Sequence, residues 1–351
     1  MPKPGYPAYP SKPRPGDRVA VLSPGAGLPE LFPQPYELGL RRLTEDFGLV
    51  PVEYATTRRM GSSPKDRAAD IHAAFADPTI KAVFASIGGD DQITVLPYLD
   101  RELIRANPKP FFGWSDNTNF LAHLWNSGIV GYYGGAVMAE FGRPVAMHPL
   151  SESALRAAVF TSGEEYELTS PGETRYVAGR WEDPATFETA PAMEPADSWI
   201  WHNADRVVEG VSWGGCLEIL SWLMMADREI LPVEEYTGCV LFLETSEEMP
   251  SAEEVYRILR NMGERGLLAQ FPAVLMGRPQ SWSFEAPLAA EEREAYSAKQ
   301  REAVLRALKE YAPDTLAVFD VDLGHTDPRI VMPYGGRVRV DGPARRIFVT
   351  Y

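Results

Sequence analysis

Ser115, Glu244 and His325 are the residues of this chain whose types and surroundings best suit chemistry. Ser115 follows the apolar run Pro110-Phe111-Phe112-Gly113-Trp114 and precedes a helical pattern. A serine on such a strand-to-helix turn projects its hydroxyl outward, while the helix start offers unpaired N–H groups and the positive end of a dipole. The amide of Asp116 could then donate to an oxyanion formed at Ser115. Gly88-Gly89 close an earlier apolar run, and a glycine pair lets a second amide, that of Gly89, approach a ligand closely. Taken singly, these residues read equally as a helix cap and a tight turn.

Glu244 ends the apolar run Val240-Leu241-Phe242-Leu243, where a carboxylate is costly to bury without a partner. His325 stands in Gly324-His325-Thr326-Asp327, directly after another apolar run. The other four histidines fall on helical patterns (His72, His123), in a proline-containing loop (His148) or in an irregular stretch (His202). A lone glutamate or histidine at such a place is often a structural ion pair or a turn residue. The coincidence of three reactive groups at three strand ends, in the order Ser, Glu, His, points to acyl transfer by an activated serine. One departure stands out: Gly113-x-Ser115-x-Asn117 lacks the second glycine of the usual nucleophile elbow. A histidine base of this kind is expected to lose its proton at about 6–7. Asp90-Asp91 has no companion ligands at metal spacing and reads as a pair of helix-start acids. No metal and no organic cofactor is expected. The rivals are a non-catalytic two-domain binder of small molecules, and a metal hydrolase built on Asp90, Asp91 and His325.

The elements that must position these groups alternate strand and helix, which implies parallel pairing and an α/β fold. Strands are expected at Arg18–Ser23, Lys81–Ile87, Pro110–Trp114 and Ile129–Tyr133, with a helix starting at Asn117. After an irregular stretch between about Thr161 and Asp205 the alternation resumes: strands at Cys239–Leu243, Ala273–Met276 and Leu316–Val321, and a charged helix over Ala290–Glu310. Ser251 and Glu254 form a capping box ahead of the stripe Val255, Ile258, Leu259, Met262. The tail, Arg329–Val349, alternates like a closing hairpin. The expected organisation is a disordered, proline-rich N-terminus over 1–15, an α/β domain over 16–165 carrying the nucleophile, a linker or active-site loop over 166–205, and a second domain over 206–351 carrying Glu244 and His325.

The 351 residues carry 34 Lys+Arg against 49 Asp+Glu, a net charge of −15. That field disfavours a nucleic-acid polymer or an anionic membrane as partner. The two cysteines, Cys216 and Cys239, lie in apolar stretches and read as buried thiols in a reducing compartment. No stretch approaches the roughly 18 apolar residues of a membrane span, nor is there a signal-peptide pattern, so the cytoplasm is expected.

The run SIGGDDQITVLPYLD, the block FFGWSDNTNF, the strand LFLETSEE and the loop GHTDPRI resemble, in that order, the LD-carboxypeptidase family of serine peptidases. The long central segment and GRPQSWSFEAP look closer to its microcin C self-immunity branch than to the murein recycling enzymes. The resemblance implies an N-terminal domain of flavodoxin-like, class I amidotransferase-like type and a C-terminal α/β domain with a small barrel-like sheet. It also implies a nucleophile at Ser115, an acid at Glu244, a base at His325, and oxyanion amides at Gly89 and Asp116. The substrate would be an aminoacyl-nucleotide inhibitor or, in the murein branch, a tetrapeptide losing D-Ala. The family further implies a homodimer. Aromatic residues of the irregular segment, Trp181, Trp199 and Trp201, could stack on a base. Glu285, in the stretch after the Ala273–Met276 strand, could pair with a substrate ammonium.

Overall fold

The run RVAVL at Arg18–Leu22 (β1) is buried at every position after the first, as a strand covered by helices on both faces should be. In the computed structural model, which describes residues 7–351, it is an interior strand of the first sheet, one in from an edge. Val50–Glu53 (β2), Ile80–Ala85 (β3), Phe111–Gly113 (β4) and Gly131–Tyr133 (β5) complete its parallel part in the order β2-β1-β3-β4-β5. Helices at Pro33–Glu45 (α1), Pro64–Ala76 (α2), Arg101–Ala106 (α3) and Thr118–Asn126 (α4) connect these strands. In such a sheet the crevice for a ligand opens at the carboxyl ends, where the strand order reverses. Gly25 lies just beyond the end of β1, Gly88-Gly89 beyond β3 and, one strand further, Ser115 beyond β4.

A helix at Pro149–Phe160 (α5) leads into the segment expected to be irregular. It is a docked strap. Glu165–Leu168 (β6) pairs with the last strand of the chain, Glu173–Thr174 (β7) pairs with Glu194–Pro195 (β8), and Ile200–His202 (β9) forms an edge of the second sheet. Two- to four-residue strands of this kind are held by backbone pairing, so no side-chain periodicity announces them. Because β6 and β9 both belong to the second sheet, the boundaries drawn at 165 and 205 cut through it.

The second sheet has a parallel centre of Val207–Cys216 (β10), Val240–Glu244 (β11), Ala273–Gly277 (β12) and Leu316–Val321 (β13). Helices Leu217–Ala226 (α6), Ala252–Glu264 (α7) and Ala290–Tyr311 (α8) accompany it, and α7 carries the capping box of Ser251 and Glu254. The expected terminal hairpin divides in two. Met332–Tyr334 (β14) crosses to the first sheet and pairs antiparallel with β5, while Arg337–Asp341 (β15) and Arg346–Thr350 (β16) form the hairpin proper beside β10. The eight strands run β6-β16-β15-β10-β11-β12-β13-β9, with β6 and β9 at the two edges.

Of the expected disordered N-terminus, residues 1–6 lie outside the described residues. Residues 7–15 are packed onto the body. Ala8 bridges to Ile129, the Tyr9 hydroxyl accepts from the amide of Arg337, and Lys12 donates to the carbonyl of Ala158 while lying over the Tyr132 ring. The proline-rich composition suppressed helix and strand without preventing contact. Cys216 and Cys239 are both buried and unpaired. Among the described residues no helix is long and apolar enough to cross a membrane.

Candidate active site

Buried Phe111 and Phe112 anchor β4, and the chain then breaks sharply. Ser115 adopts φ 62°, a left-handed conformation that costs a non-glycine residue about 1–2 kcal/mol. It opens a 3-10 turn, Ser115–Asn117, that feeds α4. Neighbours fix the turn from several sides. The Asn117 amide donates to the carbonyls of Ile87 (3.1 Å) and Trp114 (3.0 Å). The Gln92 amide donates to Asn117 Oδ1 at 3.0 Å, and Gln92 Oε1 accepts from the amide of Phe120 at 3.1 Å. Asp116 accepts from the backbone N–H of Gln92 (3.0 Å) and from Asn119 Nδ2 (2.8 Å), so its side chain braces the turn instead of capping the helix. Burial pushes its carboxyl up to about 7, partly opposed by the Gln92 N–H. A Cβ at Gly88 would press on the nucleophile, 3.1 Å from Ser115 Cβ and 3.3 Å from its Oγ. The backbone of the glycine pair thus runs alongside the nucleophile.

The second sheet supplies the rest. Fully buried Glu244, at the end of β11, accepts from His325 Nδ1 at 2.7 Å through Oε2 and from the Tyr133 hydroxyl at 2.5 Å through Oε1. Tyr133 in turn accepts from the amide of Ser115 at 3.1 Å, joining nucleophile turn and acid through one phenol. Trp114, next to Ser115, meets the His325 ring edge-on with centroids 4.7 Å apart. The structure therefore brings the three candidate residues into one site and bonds Glu244 to His325. It does not bond His325 to Ser115: Nε2 instead lies 2.9 Å from Oε2 of Glu247. Burial alone would lower the imidazole pKa, but the flanking carboxylates of Glu244 and Glu247 outweigh it and raise it to about 10. This corrects the expectation of an ordinary imidazole value.

Sequence reasoning missed Tyr133, Gln92 and Glu247. Only Glu247 carried a local signal, as an acid three residues beyond the end of an apolar strand. The other expected residues are distributed as follows. Asp91 stands at the N-cap of the short 3-10 helix Gln92–Thr94, and its carboxylate pairs with Arg67 at 2.7 Å without capping the helix. Among the described residues no group of three or more His, Cys, Asp or Glu could hold a metal. His123 pairs with Glu229 and His148 caps α5, both structural roles. Trp201 sits in β9 opposite Val318, and Trp199 donates to Asp322 at 2.8 Å; both hold the strap to the second sheet, which corrects their placement in an irregular loop. Trp181 is half-buried against Phe32, with centroids 5.7 Å apart. Glu285 is exposed, and next to it Phe284 lies under Arg180 of the strap.

The site thus combines a strained serine beside a glycine pair with an imidazole held by a buried carboxylate. Residues 19–134 match the LD-carboxypeptidase N-terminal domain of peptidase family S66, and residues 209–340 match its C-terminal domain. The chain belongs to this family of peptidases. It is 23% identical over 335 residues to a protein of Vibrio cholerae described as a carboxypeptidase, covering 93% of this chain and 92% of the relative. It is 25% identical over 288 residues to the microcin C7 self-immunity protein MccF of Escherichia coli, covering 82% and 78%. Among solved structures, MccF in complex with aspartyl sulfamoyl adenosine superposes with a TM-score of 0.85 at 22% identity, covering 98% of this chain and 99% of that one. An MccF-like protein from Streptococcus pneumoniae, in complex with AMP, gives 0.82 at 24% identity over 95% and 99%. These likenesses establish the mixed α/β fold.

Proposed function

We propose that this protein is a serine-type amide hydrolase, with Ser115 as nucleophile, His325 as base and then acid, and Glu244 as the group that orients the imidazole. The observation that carries the reading is the connection from the strained Ser115 turn through Tyr133 to Glu244 and on to His325 Nδ1. For attack, His325 Nε2 exchanges Glu247 for Ser115 Oγ. The imidazole takes the hydroxyl proton as Oγ bonds to the substrate carbonyl, and Glu244 fixes the tautomer and stabilises the imidazolium. The amides of Gly89 and Asp116 receive the oxyanion. The proton passes from Nε2 to the leaving amine, and water then hydrolyses the acyl-enzyme.

The substrate class is an aminoacyl-nucleotide inhibitor of the microcin C type, whose aminoacyl linkage is cleaved in self-immunity. The full-length likeness to MccF structures holding aminoacyl sulfamoyl nucleosides supports this. Trp181 would stack on the base and Glu285 would face the free ammonium. The strap between the sheets, 166–205, would then border the site. A second reading, release of D-Ala from a murein tetrapeptide, is favoured by the family and by relatives described as carboxypeptidases. We read the first sheet's strand order as flavodoxin-like and the antiparallel strands around β15 and β16 as the barrel-like part. The cytoplasm and a two-fold homodimer complete the proposal; light scattering tests the latter.

Mass spectrometry of products from a murein tetrapeptide and from an aminoacyl sulfamoyl adenosine distinguishes the two substrates. Ser115→Ala should lower turnover of the true substrate by about four orders of magnitude or more and abolish labelling by a fluorophosphonate. Turnover of neither compound, with no labelling of Ser115, would leave a non-catalytic binder.

A further inference from the structure

Outside the hydrolytic groups, arginine is in local excess beside the site. Asp327, two residues beyond His325, is buried and receives Arg143 Nε at 2.8 Å, with Arg175 Nε at 3.4 Å from the same oxygen. Burial would raise the Asp327 carboxyl, but Arg175, Arg143 and Arg329 together hold it below its ordinary value. Arg329 is not bonded to it. Its Nε donates to the carbonyl of Gly324, and its guanidinium carbon lies 4.3 Å from the centre of the Trp114 ring. That same indole contacts His325 and precedes Ser115.

Three guanidinium groups therefore crowd one carboxylate, with which only Arg143 and Arg175 pair directly, and the next acid, Glu247, is committed to His325. In a chain of net charge −15 such a local surplus is not an accident of composition. Taking a guanidinium out of water without a full counter-charge is costly. The terminal nitrogens of Arg175 and Arg329 make no hydrogen bond among the described residues, yet they are not among the fully enclosed polar atoms that lack a partner. Both side chains are part-exposed, Arg175 at 19%, and the Arg329 guanidinium lies over the Trp114 ring. A planar fork held ready in this way matches a carboxylate, sulfamate or phosphate oxygen pair.

We propose that Arg329, supported by Arg175, is the subsite for an anionic group on the leaving side of the scissile amide. This rests on the reading of Ser115 as the point of amide cleavage. Two sources share the chemistry: the free carboxylate of a C-terminal residue, and the sulfamoyl or phosphoryl group of a nucleotide conjugate. Arg143, whose Nη1 also donates to the carbonyl of Ala146, has the structural share of the cluster.

Binding to the Ser115→Ala protein tests this without requiring turnover. Calorimetry compares a peptide ending in a free D-alanine carboxylate with its terminal amide. In parallel it compares an aminoacyl sulfamoyl adenosine with the aminoacyl amide of aminoadenosine, which lacks the sulfamoyl group. One pair should show preference for its anionic member, and that pair names the source. Adding Arg329→Gln should weaken the anionic member about ten- to hundredfold and leave the neutral member within about twofold. Arg329→Lys, which keeps the charge without the fork, should lie between, and its melting temperature guards against misfolding. Equal losses on both members, no preference for the anion in the parent, or binding of neither pair would overturn the proposal. Retained anion binding without turnover by the unaltered protein would instead remove the reading of the reaction.

Discussion

Ser115 is held in the first sheet by backbone geometry and a net of amide hydrogen bonds, whereas His325 is held beside the second by two carboxylates. The first kind of support is mostly uncharged, since Asn117, Gln92 and Asn119 do not titrate, and its one acid, Asp116, is pushed up to about 7 by burial. The second is made of charge and changes with every proton. The nucleophile is therefore set at the cost of strain, and the base at the cost of an elevated proton affinity. Tyr133 bonds to the Ser115 amide on one side and to Glu244 on the other.

Cutting that link should have the largest effect. Tyr133→Phe removes the phenol that receives the Ser115 amide and supports Glu244, and kcat should fall by about ten- to hundredfold. Steady-state kinetics with KM little changed would agree; an unaltered kcat would show that the two halves are positioned independently.

The charged half can be tested alone. With His325 raised to about 10, its neutral form, the one able to accept the Ser115 proton, gains population as pH rises toward that value. Glu247→Gln removes one of the two carboxylates that raise it. The acid limb of kcat/KM should then move down by about one unit, making the variant faster than the parent below the midpoint. A limb that stays in place would mean that Glu247 leaves Nε2 before the free enzyme is sampled.

The smallest effect concerns the strained half. Ser115→Gly should remove activity and yet stabilise the fold by about 1 kcal/mol, because glycine adopts positive φ without penalty. Denaturant unfolding measures this. A loss of stability would show that the serine hydroxyl, and not the backbone, holds the turn.

The expected strands reappear within a few residues because buried parallel strands are continuous apolar runs with reactive residues at their ends, and Ser115, Glu244 and His325 were legible for that reason. Tyr133 was not, because it closes a three-residue strand and meets Glu244 only through a contact 111 residues away in sequence. Arg143, Arg175 and Arg329 come from three distant segments, and no local pattern links them. In β9, side chains hid what the backbone does: three residues with two tryptophans' worth of irregular sequence around them form a sheet edge. Glu285 and Trp181 remain parts of the proposal.

The loop that carries His325 is anchored in two places, by β13 in the second sheet and, eleven residues on from its end, by β14 in the first. Sliding of one sheet against the other would strain this span. His325 thus serves as a gauge of alignment between the two halves of the molecule. On heating, hydrolytic competence should disappear while both cores are still intact, since a displacement too small to expose apolar surface is enough to move the imidazole relative to Ser115.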